Sequence, residues 1–357
     1  MPFATQWIRR ERGNEVALLE VKDLSVAFQT RKGKIRAVDG VSFTLEEGKT
    51  LAIVGESGSG KSVTSMSILR LLDENGFIES GEILFEEKGR QIDLAKLPLE
   101  KMYEIRGNRI SMIFQEPMTA LNPVFTIGKQ LSEPFLIHWK STKKEAFEEG
   151  VKMLKEVRIP NPERVMKEYA HRLSGGMRQR VMIAMALSCR PKILIADEPT
   201  TALDVTIQAQ ILRLMKELQK ENGTAILFIT HDLGVVHEMA DDVTVVYCGQ
   251  VVERAPAALV FSKKERSHPY TEGLLNSAPG AKKQKRLESI PGNVPSPFEY
   301  PKGCRFAPRC KYCTEKCVRE MPDLFDLGEG QYVRCFYPEK KERKSAKHRR
   351  LVIRQET

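Results

Sequence analysis

The sequence predicts an α/β fold, a largely parallel sheet covered by helices, with a helical insertion and a small cysteine-rich C-terminal extension. Three observations predict it. Short apolar runs, "LAIVG", "KILIAD", "AILFIT" and "VTVVYCG", alternate with segments of helical spacing. Between residues 97 and 180 the apolar spacing turns helical and charges crowd in. After about residue 255 Pro, Gly and charge replace both patterns, and five of the seven cysteines follow.

The elements follow in order. "LLEVKDLSVAFQT" (18–30) alternates apolar and polar residues and reads as a strand. "AVDGVSFTLEEGKTLAIVG" (37–55) reads as a turn at Asp39-Gly40, a strand, a Glu-Glu-Gly turn and an apolar strand. "KSVTSMSILRLL" (61–72) has helical spacing, as does "STKKEAFEEGVKMLKEVRI" inside the insertion. Strands return at 192–197, 225–230 and 243–249, with a helix over 209–223 between the first two. "SAPGAKKQKR" and "IPGNVPSPFEYPKG" suggest a linker into an appendage. The expected units are 1–255 with its insertion at about 97–180, an extension at 256–338, and a basic tail at 339–357.

At 357 residues, 41% hydrophobic and 29% charged, the composition is that of a water-soluble globular protein. No apolar run is long enough to span a membrane, and the N-terminus lacks the apolar stretch of a secretory signal, so the expected compartment is the cytoplasm. The net charge of +10 is uneven: residues 340–354 hold eight Lys or Arg against one Glu. That run reads as a solvated end or as a site of attraction to anionic lipid. Nucleic acid is disfavoured because no aromatics are interleaved with the charges.

"GESGSGKS" (55–62) sits between an apolar strand and a helix, the context a phosphate loop requires. Its candidate binding residues are Gly55, Ser57, Gly58, Gly60, Lys61 and Ser62. Glycines let the backbone wrap a phosphate, and the N–H groups and helix N-terminus supply positive potential. Lys61 would reach the β- and γ-phosphates and the Ser62 hydroxyl would ligate Mg²⁺. "ILIADEPTTALD" (193–204) supplies the complement, a buried strand ending in two carboxylates. Asp197 would bind Mg²⁺ and Glu198 would polarise the attacking water. "RLSGGMRQR" (172–180) opens a second helix whose N-terminus can bind an anion. Ser174-Gly175-Gly176 alone would be a flexible cap. Beside one lysine-bearing loop, it makes sense if it meets the nucleotide held by another chain.

With "GESGSGKS", Gln115 in "MIFQEP", "LSGGM", "ILIADEP", "TALD" and "ITHD" in this order, residues 18–255 resemble the ATP-binding subunits of ABC transporters. The resemblance implies a P-loop (RecA-like) ATPase core with a helical subdomain. It implies that Gln115 senses Mg²⁺ and the attacking water, that His231 contacts the γ-phosphate, that Asp204 links two active sites, and that Phe28 stacks on adenine. Met177 departs from the family, which usually carries Gln there. "LSGGMRQRVMIAMAL", "HPYTEGLL", "IPGNVPSP" and "GCRFAPRC" are similar to the oligopeptide, dipeptide and nickel import branch. The implied partners are a second ATP-binding subunit, identical or a paralogue, two membrane-spanning permease subunits, and an extracytoplasmic substrate-binding protein acting through them. The implied location is the cytoplasmic face of the membrane. A soluble ATPase of repair, translation or Fe–S assembly is the rival, but the long coiled-coil insertion or second cassette of such proteins is lacking. Nickel or oligosaccharide import are alternatives to peptides.

Disulfides are not expected in a cytosolic chain, and clustered thiolates suit a soft metal. Cys310 and Cys313 form C-x₂-C and Cys313 to Cys317 C-x₃-C, spacings that do not choose between zinc and iron–sulfur. The resemblance favours a [4Fe–4S] cluster on Cys304, Cys310, Cys317 and Cys335, with Cys313 left out. His268 and the other unassigned histidines are expected at the surface or in turns, without a metal.

Overall fold

The computed structural model describes residues 17–115, 120–201, 203–262, 267–277 and 289–339. The basic run at 340–354 and most of "SAPGAKKQKR" lie outside the described residues.

The chain opens on a hairpin of β1 (Leu19–Thr30) and β2 (Gly33–Leu45). Its turn falls at Arg31-Lys32, where Thr30 pairs with Gly33. The expected turn at Asp39-Gly40 is instead absorbed within β2. Leu24 pairs with Val41 and Val26 with Val38, so β2 carries one extra residue there, with Gly40 at φ 66°. A bulge, not a reversal, is what the Asp-Gly pair supplies. β3 (Thr50–Val54) then runs into the loop 55–60 and α1 (Lys61–Ile68).

β4 (Gly76–Glu87) and β5 (Arg90–Asp93) complete an antiparallel sheet in the order β2-β1-β4-β5. This second sheet was not predicted, and it takes β1 and β2 out of the parallel layer. α2 (Leu99–Ile105) follows, then β6 (Ile110–Ile113), which pairs in parallel with residues 193–196. The segment from 97 to 180 therefore begins with part of the main sheet. A four-residue strand among charged residues gives too little periodicity to stand out.

The helical part holds α3 (Ile127–His138), α4 (Lys143–Glu156), the short α5 (Pro162–Val165) and α6 (Gly175–Leu187). α4 starts at a capping box: Thr142 Oγ1 accepts the Glu145 N–H while the Glu145 carboxylate accepts the Thr142 N–H. β7 (Ile193–Asp197), α7 (Val205–Asn222), β8 (Ala225–Thr230), α8 (Leu233–Met239), β9 (Asp242–Tyr247) and β10 (Gln250–Pro256) return the chain to the main sheet. Beyond them lie α9 (Ala257–Phe261), α10 (Pro269–Ser277), α11 (Glu315–Arg319) and two short strands, β11 (Phe325–Asp326) and β12 (Tyr332–Val333).

The main sheet runs β11-β12-β10-β9-β3-β8-β7-β6, with β9, β3, β8, β7 and β6 parallel. Alternation along β7 shows why both faces are covered. Ile193 and Ile195 pack towards the antiparallel sheet with Leu51, Ile53 and Phe43, whereas Leu194 and Ala196 pack towards the helical part with Leu131, Val181 and Phe228. A third core joins Ala52, Val54 and Tyr247 to Tyr270 and Phe306 of the extension. There β12 pairs antiparallel with β10, Glu253 opposite Val333 and Arg254 opposite Tyr332. His268 is buried in this core, not at the surface: its Nδ1 accepts the Tyr270 N–H and its ring lies against Phe306.

Candidate functional site

The site forms where β3, β7 and β8 end. Gly60 opens α1 at φ 97°, and an added Cβ there would meet the Ala37 carbonyl oxygen at 2.6 Å. Only glycine suits both the conformation and the space. Gly58 also has positive φ, 78°. Lys61 is buried, and its Nζ donates to the carbonyls of Gly55 (2.8 Å) and Glu56 (3.1 Å). Burial pulls its pKa below the usual value, against the charges of Glu198, Asp197 and Glu56.

Asp197, the last residue of β7, is buried, and burial pushes its carboxyl pKa up while hydrogen bonds from Ser62 and Ser65 oppose the rise. Its Oδ1 has no hydrogen-bond partner. A buried, unpartnered carboxylate oxygen is costly unless a cation takes it. With the Ser62 hydroxyl, it makes the hard oxygen set that Mg²⁺ prefers.

Glu198 lies at the centre. Its backbone is left-handed, φ 47°, and its N–H still donates to Ile229 of β8 at 2.8 Å, so the sheet holds a conformation a non-glycine residue resists. His231 Nδ1 is 3.1 Å from Oε1, while the Thr201 hydroxyl (2.9 Å) and the Gln115 amide (3.3 Å) donate to Oε2. Burial works to raise this carboxyl, but the bonds from His231 and Thr201 outweigh it and hold it low. The result is an ionised carboxylate within reach of Lys61's charge.

The remaining expected residues are placed apart. Ser174 caps α6, its Oγ accepting the Met177 N–H at 3.4 Å, and Ser174 and Gly175 are exposed. Gly176 faces Ile207, where a Cβ would come within 3.1 Å of the side chain. Ile207 in turn donates its N–H to Asp204 Oδ1, which caps α7. No hydrogen bond joins Ser174, Gly175 or Gly176 to the loop 55–62 among the described residues. Phe28 lies half-buried in β1 with its ring against Gly76, where a Cβ would approach it to 2.7 Å.

Cys304, Cys310, Cys317 and Cys335 line one cavity with His268 and Phe306, and Cys313 is not among its lining residues. All are free thiols. Among the described residues, no three His, Cys, Asp or Glu side chains are grouped to hold a metal ion.

Several contacts escaped the sequence reading. Thr201 donates its hydroxyl to the carboxylate three positions before it, across a turn closed by its N–H on the Glu198 carbonyl, a turn that Pro199 could have signalled. Arg309 pairs with Glu56 from 253 positions away, which no local pattern reveals.

Comparison with known proteins finds relatives along most of the chain. Residues 38–201 match the family model "ABC transporter", and residues 252–317 match "Oligopeptide/dipeptide transporter, C-terminal region". The chain is 55% identical to the oligopeptide transport ATP-binding protein AppD of Bacillus subtilis over 321 residues, 89% of this chain and 96% of that protein. It is 50% identical to the oligopeptide transport ATP-binding protein OppD of Haemophilus influenzae over 89% of this chain and 97% of that one. Among solved structures it is similar to the dimeric ABC transporter cassette MJ0796 (27% identity, TM-score 0.59, 67% of this chain and 98% of that one). It is also similar to cbiO1 of Clostridium perfringens, part of the complex cbiONQ (31%, TM-score 0.58, 70% and 93%). The chain thus belongs to the ATP-binding proteins of the ABC transporter family.

Proposed function

We propose that the chain is the ATP-hydrolysing subunit of an importer that energises uptake of oligopeptides or dipeptides. The observation that carries the reading is the convergence of Lys61, Asp197, Glu198 and His231, in a chain that aligns over almost the full length of oligopeptide transport ATP-binding proteins.

In this reading Gly55, Ser57, Gly58 and Gly60 wrap the phosphates and Lys61 leaves its carbonyl partners to meet the β- and γ-phosphates. Ser62, Asp197 and Gln115 would hold Mg²⁺, which would supply neutralisation of the phosphate charge. Glu198 orients and polarises water, with His231 at the γ-phosphate and Phe28 against the adenine. Ser174, Gly175 and Gly176 of one copy close on the nucleotide of another, and Asp204 links the two sites. Support comes from the exposure of Ser174, Gly175 and Asp204 and from the dimeric state of the similar cassette MJ0796. Closure then drives two permease subunits, served by an extracytoplasmic binding protein, from the cytoplasmic face of the membrane. Among the described residues, no helix is long and apolar enough to cross a membrane.

Cys304, Cys310, Cys317 and Cys335 would hold a [4Fe–4S] cluster, which supplies one iron per thiolate and staples an extension with little core of its own. What supports this reading is the shared cavity that all four cysteines line.

The test is reconstitution in proteoliposomes with the permease pair, the partner ATPase and the binding protein. Labelled oligopeptide is expected to accumulate only with ATP and Mg²⁺. ATP turnover that no peptide-loaded binding protein stimulates would overturn the peptide assignment.

A further inference from the structure

The C-terminal extension grips the phosphate loop at one residue. Glu56, the second residue of "GESGSGKS", offers three polar handles, and all are taken. Its carbonyl accepts from Lys61 at 3.1 Å. Its N–H donates to the hydroxyl of Tyr270 at 2.8 Å, and Tyr270 belongs to α10. Its carboxylate receives a two-pronged bond from Arg309, Nη1 to Oε2 at 2.6 Å and Nη2 to Oε1 at 3.0 Å.

Arg309 is itself anchored and buried. It sits on a short 3₁₀ turn, Ala307–Arg309, between Cys304 and Cys310. Its Nε donates to the Pro291 carbonyl at 2.9 Å, and its guanidinium lies beside the buried ring of Tyr247. Arg305, from the same segment, bonds the Cys248 carbonyl and the Asp39 carboxylate. Nearby, Ala37 of β2 presses its carbonyl towards Gly60 and Gly249, and Gly249 donates its N–H to the Ser59 carbonyl at 2.9 Å. Of the two arginines in "CRFAPRC", Arg309 therefore bonds the loop itself, and Arg305 bonds the Cys248 carbonyl and Asp39 beside it.

We propose that Arg309 and Tyr270 are positioning residues for nucleotide binding, holding the phosphate loop in its receptive shape through Glu56. The inference rests on the nucleotide reading of that loop. Two physical effects support it. A planar guanidinium held at both ends fixes a carboxylate's direction, and with it the adjoining backbone N–H groups. Arg309 also neutralises a carboxylate whose charge reaches Lys61 and would otherwise oppose a polyphosphate.

The test uses the full chain, with Mg·ATP binding followed by calorimetry and amide exchange followed by mass spectrometry. Arg309→Ala is expected to weaken Mg·ATP binding roughly tenfold, since it leaves Glu56 charged and unpaired. Arg309→Lys, one charge without the fork, should lose about threefold. The double variant Glu56→Gln/Arg309→Ala should recover most of the loss, because neither partner is then left as an orphan charge. KM for ATP should rise while kcat changes less than KM. In nucleotide-free protein, exchange across Gly55–Ser62 should quicken in Arg309→Ala and in Tyr270→Phe, with Ile193–Asp197 unchanged.

Unaltered binding and unaltered loop exchange in Arg309→Ala would overturn the clamp. So would a double variant that binds as weakly as Arg309→Ala. If Arg309→Ala does not fold, Arg309→Lys and Tyr270→Phe carry the same judgement. Should the unsubstituted chain show no loop protection on adding Mg·ATP, the nucleotide reading fails, while the nucleotide-free exchange still decides the clamp.

Discussion

His231 sets its Nδ1 3.1 Å from Oε1 of Glu198, while Thr201 and Gln115 occupy Oε2, so the carboxylate is held from both sides. That arrangement keeps it ionised and aimed. Glu198→Gln should therefore retain Mg·ATP affinity and lose hydrolysis by a factor on the order of 10²–10⁴, the range of positioned general-base catalysis. Single-turnover phosphate release beside equilibrium binding measures both. Brisk turnover in the variant would remove Glu198 from its role.

Asp197 Oδ1 is a buried acceptor without a hydrogen-bond partner, at the end of β7. Asp197→Asn should fold and lose most of the Mg²⁺ dependence of ATP binding. In the unsubstituted chain, EDTA should weaken ATP binding and stop hydrolysis. Titrating Mg²⁺ against both proteins at fixed ATP checks this, and equal metal dependence would contradict it.

Gly58 and Gly60 make a pair of unequal sensitivities. Gly58 has φ 78° and open space, whereas Gly60 has φ 97° and the Ala37 carbonyl 2.6 Å from an added Cβ. Gly58→Ala should cost about 1–2 kcal/mol from backbone strain alone. Gly60→Ala adds overpacking and should cost about 3 kcal/mol or more, with loss of nucleotide binding. Urea unfolding of the two variants orders them, and equal costs would refute the close approach.

Six of the seven cysteines divide into two groups. Cys248 is fully buried, and burial pushes its thiol up to about 11; Cys189 is buried and raised too. Neither should be alkylated by iodoacetamide at pH 8 until the chain is unfolded. Anaerobically purified protein should be brown, with about four irons per chain. Stripping that iron should make Cys304, Cys310, Cys317 and Cys335 more reactive to alkylation than they are in the iron-loaded protein, as peptide mapping would show. Colourless, zinc-bearing protein would reverse the choice of metal.

The phosphate loop and the Asp197-Glu198 strand end were legible because each depends on a few consecutive residues whose backbone and chemistry are set locally. The antiparallel sheet was not. "GFIESGEILFEE" spreads four Glu among five apolar residues, a mixture that gives no clean alternation, and packing against β1 makes it a strand. Asp39-Gly40 carried a turn signal that the pairing of β1 with β2 turned into a bulge. His268 looked like a surface histidine because its partners, Tyr270 and Phe306, are assembled by tertiary packing. The bond between Glu56 and Arg309 spans 253 positions and depends on the whole chain having folded.

β12 joins the sheet at β10. A chain still emerging from the ribosome, complete only as far as Pro256, carries β10 as an unsatisfied rim whose free backbone groups invite strands from other molecules. The segment made after β10 therefore also works as a guard against aggregation. Truncating the protein at the linker should leave a cassette with all its nucleotide motifs and a poor solubility that those motifs cannot explain.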